Sequence, residues 1–339
     1  MKLVAFCADH KAGLNAQAVA TLVDYVLEPK SNKENALPKI QEATGAYYEF
    51  DTAINFTSFL QYSYNSKIPA ALMSPSSLRF ALWKDSQTLP GSWKAPLPGG
   101  KPVIIYGLQR DGITPDLNTG IYYEYDLKRT LILLNHKGRQ ALISISKQVD
   151  ISDVGKKGFI LGNDDDWNYY YSGVPGSAKT GLGWIKSYIY DYFSVGVYVE
   201  SGPSPSMVRS GMFQWIRGGW SGINFIQTEH VIKGMKRRAG NSKTVMESPN
   251  LPSANQIALT YQQFSSIPLS DLTVKYIALQ QARQALAVRS GKIKADEIKQ
   301  DSYANTPKEQ MIEELMLEYL KITLGKASLL EKKVVLGIK

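Results

Sequence analysis

Residues 14 to 27 place Leu14, Ala18, Leu22 and Val26 at every fourth position, with Val19 and Val23 beside them, and the pattern stops before Pro29. Apolar residues at that spacing share one face of a 3.6-residue repeat, so the stretch predicts an amphipathic helix. A second, more aromatic helix is expected over 51 to 64. From about residue 100 the period changes. Residues 102 to 108 and 119 to 125 read as strands, and the β-branched runs 130 to 135 and 140 to 147 are joined by His136-Lys137-Gly138-Arg139, a connection of hairpin length. Strand-like chemistry continues through 159 to 162, 167 to 172 and 184 to 199, which predicts one sheet of several strands rather than alternating β-α units.

Beyond Ser201-Gly-Pro-Ser-Pro-Ser206 the pattern shifts again. Residues 207 to 238 read as mostly helical, weakened by Gly218, Gly219 and Gly222. A helix is expected from Ser270 to Arg289, with Val274, Ile277, Ala278, Ala282 and Ala285 along one side. The strongest helical signal covers 307 to 324. There Thr306 and Glu309 have capping-box spacing, Pro307 opens the helix, and Ile312, Leu315, Met316, Tyr319 and Leu320 form a buried stripe before Gly325. The expected architecture is α+β: a helical segment over 1–99, a largely antiparallel, tyrosine-rich sheet over 100–200, and a helical region over 201–339, possible as one compact unit.

A 339-residue chain with 44% hydrophobic and 20% charged residues buries a sizeable core, which excludes disorder. No run approaches the 18 or so apolar residues of a membrane span, and the best, Tyr188 to Val199, is interrupted by Asp191. The net charge of +9 is unevenly placed. Residues 1–200 hold 20 basic and 19 acidic side chains, residues 201–339 hold 19 and 11, so the C-terminal part alone is basic. Such a field attracts polyanions, although surplus surface lysine is the plainer reading. The opening Met-Lys-Leu-Val-Ala-Phe-Cys-Ala-Asp resembles the end of a secretory signal without its long apolar region, and Phe6 before Cys7 does not suit a lipoprotein signal. With one cysteine, 20 tyrosines and few charges, the expectation is an exported, periplasmic or envelope-associated protein, with a cytoplasmic one as the alternative.

Most catalytic signatures fail on spacing. Gly173-Val-Pro-Gly-Ser-Ala-Lys179-Thr180 resembles a phosphate-binding loop, yet Ala178 stands where a glycine should precede the lysine. Ser144-Ile-Ser-Lys147 followed by Lys179-Thr180-Gly181 matches two elements of serine penicillin-recognising enzymes, but in a strand residues three apart face opposite sides. Gly219-Trp-Ser221-Gly222 lacks the final glycine of a nucleophile elbow. Asn163-Asp164-Asp165-Asp166 offers oxygens to a hard cation without the alternating spacing of a calcium loop, so a solvated turn is favoured. His10, His136 and His230 are too scattered for a zinc site, and neither a metal nor a cofactor is expected.

Three groups remain as candidates. Tyr188, Tyr190 and Tyr192 alternate along a strand and form a phenol row suited to stacking on a ligand, although tyrosine also favours strands without any ligand. Lys233, Lys236 and Arg237 share one helix face that suits a polyanion, while cations near a helix C-terminus also complement its dipole. His136 with Asp164 or Asp166 is the weak catalytic candidate. The leading reading is a non-catalytic protein binding a small ligand or an envelope partner through the tyrosine face. The alternatives are a hydrolase with a site assembled from distant residues, and an anionic polymer or membrane-surface binder; nucleic acid is not expected, because no known nucleic-acid fold or interleaved aromatics accompany the basic residues.

Overall fold

A computed structural model describes residues 1–84, 96, 98–179, 183–202, 206–297 and 305–336. Two short helices come first, α1 (Lys2–Ala8) and α2 (Ala16–Leu27), followed by β1 (Glu34–Ile40), β2 (Ala43–Thr52), α3 (Phe56–Tyr64) and β3 (Leu78–Trp83). The long strands β4 (Val103–Ile113), β6 (Glu124–His136) and β7 (Arg139–Gln148) follow, with β5 (Ile121–Tyr122) between the first two. Then come β8 (Lys156–Ile160), β9 (Tyr169–Pro175), β10 (Ser177–Lys179), β11 (Gly183–Ile185), β12 (Tyr188–Ser201), β13 (Met207–Trp220) and β14 (Ile223–Asn224). The chain closes with α4 (Thr228–Met246), α5 (Ala254–Ser266), α6 (Leu269–Arg289), α7 (Lys308–Thr323) and α8 (Lys332–Leu336).

The architecture is α+β. One antiparallel sheet runs in the order β1-β2-β13-β12-β7-β6-β4-β3, with β14 hydrogen-bonded to β13. The expected β6–β7 hairpin is present. Its two loop residues, Lys137 and Gly138, both adopt positive φ (52° and 82°), the conformation that matches a two-residue turn to strand twist. Smaller sheets, β5-β8-β9 and β10-β11, lie beside the main one.

Alternation along the central strands sends side chains into two cores. On one face Ile132, Ile143, Ile145, Val195, Val197 and Val199 meet Leu3, Phe6, Val19, Val23 and Val26 from α1 and α2. On the other, Leu131, Leu133, Leu142 and Tyr198 pack with α3, α5, α6 and α7. The Asn15 side chain accepts from Ala18 N at 2.8 Å and starts α2, and Asn55 does the same for Ser58 in α3.

Two stretches differ in element type from the sequence expectation. Residues 207 to 220 form a central strand, and the helix begins only at Thr228. Both faces of β13 are covered, so its sequence has no polar face to betray a strand period. Gly211 lets α2 approach it: a Cβ there would lie 2.3 Å from Val26 Cγ2. Within the first hundred residues, β1, β2 and β3 add strands to the sheet where only helices were expected, and residues 51 and 52 belong to β2 rather than to α3.

Helix α7 carries the expected stripe but is buried on every side, from Gln310 through Lys321. The capping box is not formed, because the helix begins at Lys308 behind Pro307, with no side-chain cap. Its charges are paired inside. Glu314 accepts from Arg79 Nε at 2.8 Å, Tyr276 Oη at 3.0 Å and Gln310 Nε2 at 3.0 Å, and also pairs with Arg283. Lys321 bonds Asn168 at 2.7 Å and Glu318 at 3.0 Å. Glu313 accepts the Ala81 N–H at 2.9 Å, satisfying a donor on the edge strand β3.

Candidate functional site

The sheet face that carries α3 and α7 over one half is left open over the other, and α4 lies across the opening. Val231 and Met235 of α4 pack on Ala46 and Met212. Between helix and sheet is a cavity of about 380 Å³, within the range of small-molecule sites. Its depth comes from small residues. Ser144 and Ser146 on β7 stand opposite Gly196 and Ser194 on β12, so four adjoining floor positions carry almost no side chain.

Around that floor the lining divides by polarity. One part of the wall is apolar, with Ile113, Ile121, Ile189, Ile216, Ile226 and Val231, while Asp116, Asn118, Thr119 and Lys233 add polar groups near the mouth. Phe225 and Trp220 stack at 3.8 Å between ring centres beside the opening, where Leu117 and Phe225 are exposed. At the inner end are Asp111, Arg129, Tyr125, Tyr192, Tyr198 and Arg238. Arg129 Nη2 donates to Ser144 Oγ at 3.0 Å, and Tyr192 Oη donates to Ser194 Oγ at 3.3 Å. Burial pushes the Asp111 carboxyl above its usual range, against the opposing pull of Arg129, the Gln109 side chain and Arg238. Burial likewise pushes the Tyr64 and Tyr125 phenols up, so both are neutral at ordinary pH.

The residues singled out in the sequence are distributed as follows. Of the three tyrosines, Tyr192 lines the cavity and Tyr188 and Tyr190 do not. A register shift between Ile189 and Asp191 is the cause: Ile189 and Tyr192 face inward, while Tyr190 accepts from Gly222 N at 2.9 Å and lies against Arg217. Lys233 and Arg237 stand on the cavity wall, Lys236 outside it. Lys236 pairs with Glu34 at 2.5 Å, and Arg237 grips Asp164 through Nε at 2.7 Å and Nη2 at 2.5 Å. Asp166 accepts from Asn163 N at 3.0 Å, closing the turn. His136 pairs with Asp24 of α2 at 2.7 Å, so the structure does not bring it to Asp164 or Asp166. Thr180 and Gly181 of the two lysine motifs, and Pro203 to Pro205 of the serine-proline stretch, lie outside the described residues.

Arg129, Arg238, Asp111 and the small floor were not singled out in the sequence. A signal for Arg129 existed: it interrupts the inward alternation Leu127, Leu131, Leu133. Arg238 continues the Val231–Met235 stripe one turn further along α4. Among the described residues no group of three His, Cys, Asp or Glu side chains is placed to hold a metal, and no helix is long and apolar enough to cross a membrane.

No family model matches the chain, and no curated protein matches it. Among solved structures it is similar to human StAR-related lipid transfer protein 5, at 6% identity and a TM-score of 0.31, over 69% of this chain and 98% of that one. A human StarD13 lipid transfer and protein localization domain is similar at 9% identity and a TM-score of 0.28, over 68% and 94%. At these values the likeness carries no inference about ligand or activity.

Proposed function

We propose that the protein binds an amphipathic small molecule in the cavity beneath α4 and holds it without chemical change. The observation that supports this reading is the cavity itself, large enough for a ligand and lined by an apolar stretch of wall next to a cluster of polar and charged groups. Its serine hydroxyls at 144 and 194 face a guanidinium and a phenol, partners that orient a hydroxyl rather than activate it as a nucleophile. The tyrosine contribution to the site is Tyr192 together with Tyr125 and Tyr198, drawn from two strands rather than one row.

The test uses the neutral fluorophore N-phenyl-1-naphthylamine with the purified protein and with Ser194→Trp, whose indole would fill the floor. Wild type is expected to enhance the fluorescence saturably, and the variant to lose about tenfold or more in affinity while keeping its circular dichroism. Equal binding by a folded variant would place the probe elsewhere and remove the cavity from the proposal. Native mass spectrometry adds the complementary reading: a discrete extra mass that disappears on denaturation identifies a co-purified occupant.

A further inference from the structure

The inner end of the cavity holds two guanidinium groups supplied from opposite walls, Arg129 from β6 and Arg238 from α4. Arg129 spends one nitrogen on Ser144, and its Nε has no hydrogen-bond partner. Arg238 makes neither a hydrogen bond nor an ion pair among the described residues. Both charges act on the same three groups, Asp111, Tyr64 and Tyr125, so they converge on one region.

Among the described residues, that region has no matching anion. Two carboxylates line the cavity, and Asp116 is tied at the mouth into its own turn through Asn118 N and Thr119 N, each at 2.7 Å. Asp111 already accepts from Gln109, and one carboxylate whose charge burial disfavours faces two guanidinium groups that do not deprotonate. Other arginines of the described residues with little exposure are paired: Arg79 and Arg283 both reach Glu314, and Arg237 reaches Asp164. Drawing cations away from water without a partner is costly, and an anion from outside the chain offsets that cost at this end of the cavity.

Resting on the cavity-binding reading above, we propose that Arg129 and Arg238 seat an anionic head group, a carboxylate or a phosphate, whose apolar tail runs past Ile113, Ile189, Ile216 and Ile226 toward the mouth. The ligand therefore enters head first. Planar guanidinium donors suit both head groups, because each presents two oxygens to a fork of N–H bonds. Tyr192 and Tyr198 add hydroxyls to the same lining.

The experiment measures displacement of N-phenyl-1-naphthylamine by tetradecanoate, dodecyl phosphate and tetradecanol, using the full chain. Wild type is expected to bind at least one of the two anions about tenfold or more tightly than the alcohol, and the preferred anion names the head group. Arg238→Met should reduce that preference to about threefold or less, and Arg238→Lys should recover part of it. Tetradecanol binding as tightly as both anions overturns the charge seat while leaving the cavity reading intact, and this comparison needs no variant. Unchanged anion affinity in a folded Arg238→Met protein overturns it as well. Failure of the probe and all three amphiphiles to bind overturns both readings.

Discussion

Adjacent residues on α7 ionise in opposite directions, and this supplies a test of the packing that needs no ligand. Burial, with the charges of Asp111 and Glu314 adding to it, pushes the Glu313 carboxyl up to about 8 from 4.5, against the Ala81 N–H that it accepts. In the unfolded chain the group ionises near its ordinary value. Between about pH 4.5 and 8 the native state therefore holds a proton that the unfolded state has released, and stability falls as pH rises through that window. At roughly 1.4 kcal/mol per pH unit once the unfolded group is ionised, the loss from pH 5 to pH 8 is about 3 kcal/mol. For a chain of this length that corresponds to about 4 °C in melting temperature. Glu313→Gln keeps an acceptor for Ala81 and removes the titration. Melting followed by circular dichroism from pH 5 to pH 8 should show the variant gaining on the wild type by about 4 °C across the series. Parallel curves, with a constant offset, would refute the assignment of a protonated carboxyl to this position.

Glu314 behaves in the reverse sense: burial raises it, but Arg79 and Arg283 overcome that and hold it down to about 2. Its contribution is present above pH 4.5 and lost as pH falls through 2, and Glu314→Gln, which leaves two buried guanidinium groups uncompensated, should cost about 3–5 kcal/mol in urea unfolding at pH 7. Gly211→Val drives a side chain into Val26 and should destabilise by about 1–3 kcal/mol, with the loss visible as a lower urea midpoint. Cys7 lies on the buried face of α1, and burial also raises its thiol above the usual range, so dithiobisnitrobenzoate should label it only when denaturant opens the fold. Rapid labelling of native protein would contradict the docking of α1 on the sheet.

The parts of this fold that the sequence foretold are those where local pattern and environment agree. Helix α2 has one wet and one dry face, and the β6–β7 hairpin pairs alternating apolar runs across a turn that needs Gly138. Strand β13 was hidden because α2 covers one of its faces and α4 the other, leaving glycine as the visible feature. The burial of Glu313, Glu314, Glu318 and Lys321 was hidden for a related reason: their partners Arg79, Arg283 and Asn168 are far away in the chain, and a charged helix face ordinarily reads as solvated. The tyrosine row failed to align as written because one extra residue in β12 changes the side to which the later residues point. A cavity, in turn, is written in what is missing, and the serines of β7 look like ordinary strand residues until Gly196 and Ser194 are placed against them.

Those four floor positions separate the size of the chamber from the integrity of the fold. The ladder between β7 and β12 is made of backbone bonds, and it is indifferent to whether Ser144, Ser146, Ser194 or Gly196 carries one heavy atom or several. A Cβ at 196 would press first on the hydroxyl end of Tyr198 and not on backbone. One substitution at a time can thus lengthen or shorten the chamber, keeping the same scaffold and altering only its internal measure.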